Sequence, residues 1–152
     1  MGKLTSLIEG KLVAFDSGPL IYYLEEHPRY SALSDELFDA IRDERAFGLT
    51  SILTLMEVLV LPLRTGREGL ASDYRRLLNH TEGLTLYPVD GAICERAAKM
   101  RADNPWLRTP DALQVATALE HGAQVMVTND KRWKRLKEIP VAVLEDFLTV
   151  GP

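Results

Sequence analysis

Residues 107–130, LRTPDALQVATALEHGAQVMVTND, restrict the fold more than any other stretch, because a helix signal runs directly into a strand signal. Thr109 suits a helix N-cap and Pro110 the first helical position, where its missing N–H is not needed. Asp111 falls in the first turn, where the helix dipole favours negative charge. Ala112, Val115, Ala116 and Leu119 follow the i, i+3, i+4, i+7 spacing of a buried face, and Gly122 is placed to end the helix in a left-handed cap. Residues 124–128 then read as a short, β-branched, buried strand that delivers Asp130 beyond its C-terminal end. In an open parallel sheet that edge is where ligands bind.

The rest of the chain repeats the alternation. Strands are predicted at 11–15 (KLVAF), 46–50, 84–89 (LTLYPV) and 141–144, with no element assigned to the N-terminal segment before them. Between them lie helix 20–26, which Pro28 closes, and a helix capped by Ser31 or Ser34 with Leu33, Leu37, Ala40 and Ile41 inward. Ser51 caps helix 52–61, which Pro62 disrupts, and 66–80 is amphipathic through Leu70, Tyr74, Leu77 and Leu78. Asp90 caps a helix carrying Ile93, Ala97 and Met100, and residues 131–137 form a short basic turn. Such an order implies an α/β class, a three-layer α/β/α domain around a central parallel sheet of about five strands with right-handed crossovers. With 152 residues, 46% of them hydrophobic, residues 1–152 are expected to form a single domain.

Charge and cysteine content narrow the function. A net charge of −4 gives no overall basic field, so any nucleic-acid contact has to be local. The lone Cys94 forms no internal disulfide, provides no thiolate zinc site, and beside Ile93 and Ala97 is read as core. The N-terminus lacks a signal-peptide pattern, and the longest apolar run, 52–63, is broken by Thr54, Glu57 and Pro62 and too short to span a bilayer. The protein is therefore expected to be cytoplasmic, with no membrane contact.

Two acids stand at predicted strand ends: Asp16 follows the first strand as Asp130 follows the fourth. Asp111 begins the helix that feeds the fourth strand. Glu57 lies in TLMEVLVL, a helix apolar nearly all round, with no Lys or Arg within a turn in either direction. An ionised carboxylate there is costly unless paired, which leaves a partner from elsewhere, a hydrogen-bonded neutral acid, or a metal. If these acids meet, they repel and raise one another's pKa values. A hard divalent ion would remove the difficulty, and oxygen-only ligands suit Mg²⁺ or Mn²⁺. Each acid also has an ordinary structural reading: helix N-terminal charge for Asp111, turn residues for Asp16 and Asp130, an edge-of-core carboxylate for Glu57.

The segments VAFDSGPLIYYLE, TSILTLMEVLV, RTPDALQVATAL and VTND occur in that order from Leu12 to Asp130. In that order the chain resembles a PIN domain, most closely the VapC-type ribonuclease toxins of toxin–antitoxin pairs. The resemblance implies a metal-dependent endoribonuclease that takes one or two Mg²⁺ or Mn²⁺ ions on Asp16, Glu57, Asp111 and Asp130. Asp16 and Asp111 are the most consistently assigned ligands in that family, with Ser17 and Thr128 as supporting hydroxyls. It also implies an RNA substrate, 5′-phosphate and 3′-hydroxyl products, a small antitoxin partner and a homodimer. Gly18 departs from the pattern, since many members carry Asn or another polar residue there.

Phosphate contacts are predicted at Lys131, Arg132, Lys134 and Arg135 in KRWKRLK, and at Arg108. Trp133 within that turn is read either as a base-stacking surface or as a core anchor. His27, His80 and His121 fall at helix ends and carry no catalytic role. The apolar excess of helices 20–24 and 52–63 marks them as groove residues for the antitoxin. Other readings are a PIN nuclease of RNA processing, a non-catalytic PIN-fold binding module, and aspartyl-phosphate chemistry. The last wants a second Asp two residues after Asp16, where Gly18 stands instead.

Overall fold

Successive residues of a strand point to opposite faces of its sheet, and here that alternation divides the interior in two. In the computed structural model, which describes residues 2–149, the strands are β1 (Leu12–Phe15), β2 (Phe47–Ser51), β3 (Leu84–Tyr87), β4 (Val125–Thr128) and β5 (Val141–Val143). Residue 1 and residues 150–152, the ends of the expected 1–152 unit, lie outside the described residues. Val13, Phe15, Val125 and Val127 enter one core, and Ala14, Leu49 and Met126 enter the other. A sheet buried on both faces reads as continuous apolar runs, as β1 and β4 do.

Every strand pairing among the described residues is parallel, in the order β3-β2-β1-β4-β5. The helices are α1 (Lys3–Ile8), α2 (Ser17–Leu24), α3 (Ser31–Arg42), α4 (Ile52–Arg64), α5 (Glu68–His80), α6 (Gly91–Asp103) and α7 (Thr109–Glu120), followed by a 3₁₀ turn, Lys131–Arg135. The first five helices pack against the first core, and α6, α7 and the 3₁₀ turn against the second. The three-layer α/β/α expectation holds. Successive strands are added outward on one side of β1 (β2, β3) and then on the other (β4, β5), so the switch point of the sheet lies where β1 meets β4.

Local expectations fared unevenly. Ser51 and Asp90 do cap α4 and α6, accepting from Leu53 N–H and Ile93 N–H at 3.2 and 2.9 Å, and Gly122 adopts φ +77°. Three expectations need correction. Pro62 does not disrupt α4: the helix runs on through it to Arg64 and closes with Thr65 N–H on Leu61 O at 3.0 Å. Thr109 is not the cap of α7 but its first residue, its hydroxyl accepting from Arg101 Nη1 at 2.9 Å. Neither Ser31 nor Ser34 caps α3, since Ser31 is already helical and Ser34 is buried; His27 Nδ1 instead accepts from the Arg29 and Tyr30 amides of the preceding turn.

Two features escaped the residue pattern. The N-terminal segment forms α1, a helix too short to stand alone, buried through Leu4 and Ile8 and tied to α3 by Thr5, whose hydroxyl and amide donate to Glu36 Oε1 at 2.7 and 3.2 Å. Cys94 is exposed rather than core. The inward stripe of α6 is Ile93, Ala97 and Met100, and the residue after Ile93 is turned about 100° away from it.

Candidate functional site

Asp16 leaves the end of β1 at the switch point. The register Phe15↔Val127 sets it opposite Thr128, and the Thr128 hydroxyl donates to Asp16 Oδ2 at 2.9 Å. The same hydroxyl accepts from Asp130 N–H at 3.1 Å, so one threonine ties the two strand ends together. Asp16 Oδ1 is buried and has no hydrogen-bond partner among the described residues. Burial pushes the Asp16 carboxyl up to about 7, opposed by the Thr128 hydrogen bond and reinforced by the negative charges of Glu57 and Asp111. Three acids distant in sequence thus act on one another, and an oxygen acceptor among them is unsatisfied.

Glu57 reaches this place through a polar chain that sequence reasoning did not find. Thr50 donates to the Phe15 carbonyl at 2.6 Å and shares a hydrogen bond with Thr54 at 2.7 Å. Gln114 Nε2 donates to Thr54 Oγ1 and to Glu57 Oε1, each at 3.0 Å. Of the ways to accommodate Glu57, the structure shows a partner from elsewhere, and it is a neutral amide. The signal was present: Gln114 is a polar residue on the inward side of α7, one turn after Asp111, and buried amides have to be hydrogen-bonded.

The remaining acids carry arginines. Arg108 Nε donates to Asp111 Oδ2 at 3.2 Å, on a carboxyl 15% exposed. Arg132 grips Asp130 through Nε at 3.0 Å and Nη2 at 2.5 Å, and its backbone N–H adds a third contact at 3.0 Å. Hydrogen bonding from Arg132 holds the Asp130 carboxyl below the usual carboxylate range, with a smaller contribution from Arg108. As the side chains stand, no three His, Cys, Asp or Glu residues among those described enclose a common point. Asp16 and Glu57 look inward while Asp111 and Asp130 are turned onto guanidinium groups.

A cavity of about 410 Å³ opens here, lined by Asp16, Ser17, Gly18, Tyr22, Asn129 and the basic start of the 3₁₀ turn. A Cβ at Gly18 would meet only the Tyr22 ring, at 3.8 Å, so the missing polar group leaves open space. Asn129 closes that side, donating to the Tyr22 hydroxyl at 3.3 Å and accepting from Glu145 N–H at 3.0 Å. Of the predicted phosphate contacts, Lys131 and Arg132 line the cavity, Lys134 pairs with Asp146, and Arg135 lies over Trp106. Trp133 is 1% exposed and part of the second core, which removes it as a stacking surface.

The model of the PIN domain family matches residues 13–139, which includes Asp16, Glu57, Asp111 and Asp130. The chain belongs to the PIN domain family. No curated protein matches it in sequence. Among solved structures, the PIN fold of this chain is similar to chains in the VapBC2 complex of Rickettsia felis bound to a promoter DNA fragment, with a TM-score of 0.68, 14% identity and coverage of 87% of this chain and 98% of the other. It is similar also to a chain of a toxin–antitoxin complex from Klebsiella pneumoniae, with a TM-score of 0.65, 21% identity and coverage of 87% and 97%. A member of the VapBC family from Mycobacterium tuberculosis, VapBC-5, matches with a TM-score of 0.57, 17% identity and coverage of 88% and 98%. At these identities the likeness is one of fold.

The acids of this PIN domain suit a hard cation: the donors are all oxygen, and Asp16 offers a buried acceptor without a partner. Arg132 occupies the Asp130 oxygens, which an ion held there would have to share. Replacing it, Arg132→Gln, is expected to tighten Mn²⁺ binding severalfold in calorimetric titration, since the ion then displaces no guanidinium. Unchanged or weaker binding would show that Arg132 and the ion do not share Asp130.

Proposed function

We propose that this PIN domain is a metal-dependent endoribonuclease, the toxin of a type II toxin–antitoxin pair, with Asp16, Glu57, Asp111 and Asp130 as ligands for one or two Mg²⁺ or Mn²⁺ ions. PIN domains are in general nucleases. The observation that carries the reading is the buried, unpartnered Asp16 Oδ1 at the switch point, under the charge of Glu57 and Asp111. A bound ion would supply acidification of a water and neutralisation of charge on the phosphate.

The chain's own residues supply the rest. Thr128 orients the Asp16 carboxylate, and the Thr50–Thr54–Gln114 chain orients Glu57. Glu57 accepts from the neutral amide of Gln114 rather than from a guanidinium, and it is the acid we assign to take the proton of the attacking water. Lys131 and Arg132, which line the cavity, and Arg108 on Asp111 offer positive charge to the phosphate oxygens as the water oxygen bonds to phosphorus and the P–O3′ bond breaks; the leaving O3′ takes a proton from solvent, giving a 5′-phosphate and a 3′-hydroxyl. Ser17 borders the same cavity.

Digestion of a defined RNA pool, with and without Mg²⁺ or Mn²⁺ and with the cut ends sequenced, tests this reading. Cleavage is expected only with metal and with 5′-phosphate ends; no cleavage with either ion overturns it.

A small antitoxin and a second copy of the chain are the proposed partners, supported by neighbours that are toxin–antitoxin complexes. Of the two helices expected to offer apolar surface, α2 offers less: Leu20 is fully buried, and Ile21, Tyr22, Tyr23 and Leu24 are partly buried against the core. On α4, Ile52, Met56, Val60 and Leu63 recur along one outward stripe, each 37–58% exposed. The double variant Met56→Glu, Val60→Glu is expected to sediment as a smaller species than the wild type, or to lose antitoxin capture, with its fold unchanged; if both associations persist, this stripe is not the interface. Among the described residues no helix is long and apolar enough to cross a membrane. Action on RNA implies a cytoplasmic location, with residues 1–152 as a single PIN domain.

A further inference from the structure

The chain has two tryptophans, and the fold uses them in opposite ways. Trp133 is in the core. Trp106, in the connection between α6 and α7, is only partly buried, with one side packed against the second core. The Arg135 guanidinium carbon lies 4.7 Å from the centroid of the Trp106 ring.

The connection that carries Trp106 is held from both sides. Leu107 N–H donates to Asn104 O at 2.9 Å, and Arg101 donates through Nε to Leu107 O at 3.0 Å and through Nη1 to Thr109 Oγ1 at 2.9 Å. Asn104 Nδ2 donates back to Met100 O at 3.0 Å. The ring is therefore set in place before any ligand arrives, which reduces the ordering cost of binding. Its connection runs into Arg108 and Asp111, and the turn that carries Arg135 begins one residue after Asp130. The aromatic ring and the guanidinium come from the two segments that also deliver these acids to the sheet edge.

With one side of the ring on the core and Arg135 over it, the surface offered is a guanidinium backed by a fixed aromatic ring, and bases stack on guanidinium planes as they do on aromatic rings. Every base has a π-face, so such a stack tolerates any sequence. A protein interface also favours Trp and Arg. That reading fits less well, because the large exposed hydrophobic side chains among the described residues are on β2 and α4, and none is in the α6–α7 connection or the 3₁₀ turn. The geometry points to Arg135, backed by Trp106, as a stacking subsite for a base of single-stranded RNA on the two segments that carry Asp111 and Asp130. This rests on the ribonuclease reading and adds to it where the substrate strand lies.

Binding measured in EDTA, where no hydrolysis occurs, tests the subsite without reference to catalysis. The probes are a fluorescein-labelled oligoadenylate and an abasic phosphodiester of the same length, followed by anisotropy. Trp106→Ala is expected to weaken oligoadenylate binding about tenfold or more, Trp106→Phe to restore most of it, and neither to change binding of the abasic strand. Emission from the buried Trp133 confirms that each variant is folded. Unchanged oligoadenylate affinity in Trp106→Ala overturns the subsite, as does an equal loss for the abasic strand. A change in sedimentation without a change in RNA affinity overturns it too, and assigns Trp106 to a protein contact. If wild-type protein cuts RNA with Mg²⁺ while Trp106→Ala binds oligoadenylate normally, only the subsite fails; if wild type neither cuts nor binds, the ribonuclease reading fails with it.

Discussion

Asp16→Asn is expected to lower RNA cleavage by at least about a thousandfold and at the same time to make the metal-free protein more stable at neutral pH. The first effect follows from losing the carboxylate at the centre of the site, since an amide neither neutralises a cation nor supplies two equivalent anionic oxygens. The second follows from the carboxyl's displacement from its ordinary 3.8 to about 7, caused first by burial and then by Glu57 and Asp111. A raised acid pKa means that the folded state holds a proton the unfolded state has released. Between those two values stability therefore falls as pH rises; below 3.8 and above about 7 this group adds no slope. Above about 7 the wild type carries the full penalty of a buried charge, and the neutral isostere does not.

The whole displacement corresponds to about 4 kcal/mol. We expect a gain of about 2 kcal/mol, because the Thr128 hydroxyl bonds an amide oxygen less strongly than a carboxylate. Urea unfolding in EDTA at pH 5 and pH 8 measures it: the wild type loses stability between the two and the variant does not. An equal loss in both proteins would mean that another group carries the slope. Metal should act in the opposite sense, raising the wild-type melting temperature most above about pH 7, where no proton has to leave Asp16.

Trp133→Ala is expected to cost about 3–5 kcal/mol of folding stability, the range for removing a large aromatic from a packed interior. Trp133 is the largest of the fully buried side chains and packs in one cluster with Leu136, Ile139, Met126 and Val115. Its backbone also holds the 3₁₀ turn, with Trp133 N–H on Asp130 O at 3.1 Å and Leu136 N–H on Trp133 O at 3.0 Å. Emptying that volume loosens the turn that carries Lys131, Arg132 and Arg135, so RNA affinity should fall as well. Trp133→Phe separates packing from polarity. The indole Nε1 has no partner among the described residues, so the phenyl ring loses some contact area but relieves a buried, unsatisfied donor. A cost of about 1 kcal/mol or less is expected for it in denaturant unfolding. An alanine variant as stable as the wild type would refute the anchoring role.

Much of this was legible from residues alone, for a local reason. Period-two and period-3.6 patterns record which way side chains face within one element, so VAF, VMVT and the stripe of α7 announced a parallel sheet covered on both sides. An acid within two residues of a strand's end is likewise a local fact, which is why Asp16 and Asp130 could be placed at one edge before the register of β1 on β4 was known. The order of the four acid-bearing segments carried the family, and the family model spans all of them.

What no local pattern encodes is which surface meets which. Gln114 and Glu57 lie on helices packed in different cores and meet only in the folded chain, and a hydrogen bond between distant segments leaves no period in the sequence. The same is true of α1, whose six residues become a helix by resting on α3. Trp133 and Trp106 look alike as letters, and packing alone sent one into the core and left the other under Arg135. Backbone propensity and side-chain period fixed the elements other than α1; the free energy of burial, summed over the whole fold, decided which polar atoms were left without partners and therefore where the chemistry can occur.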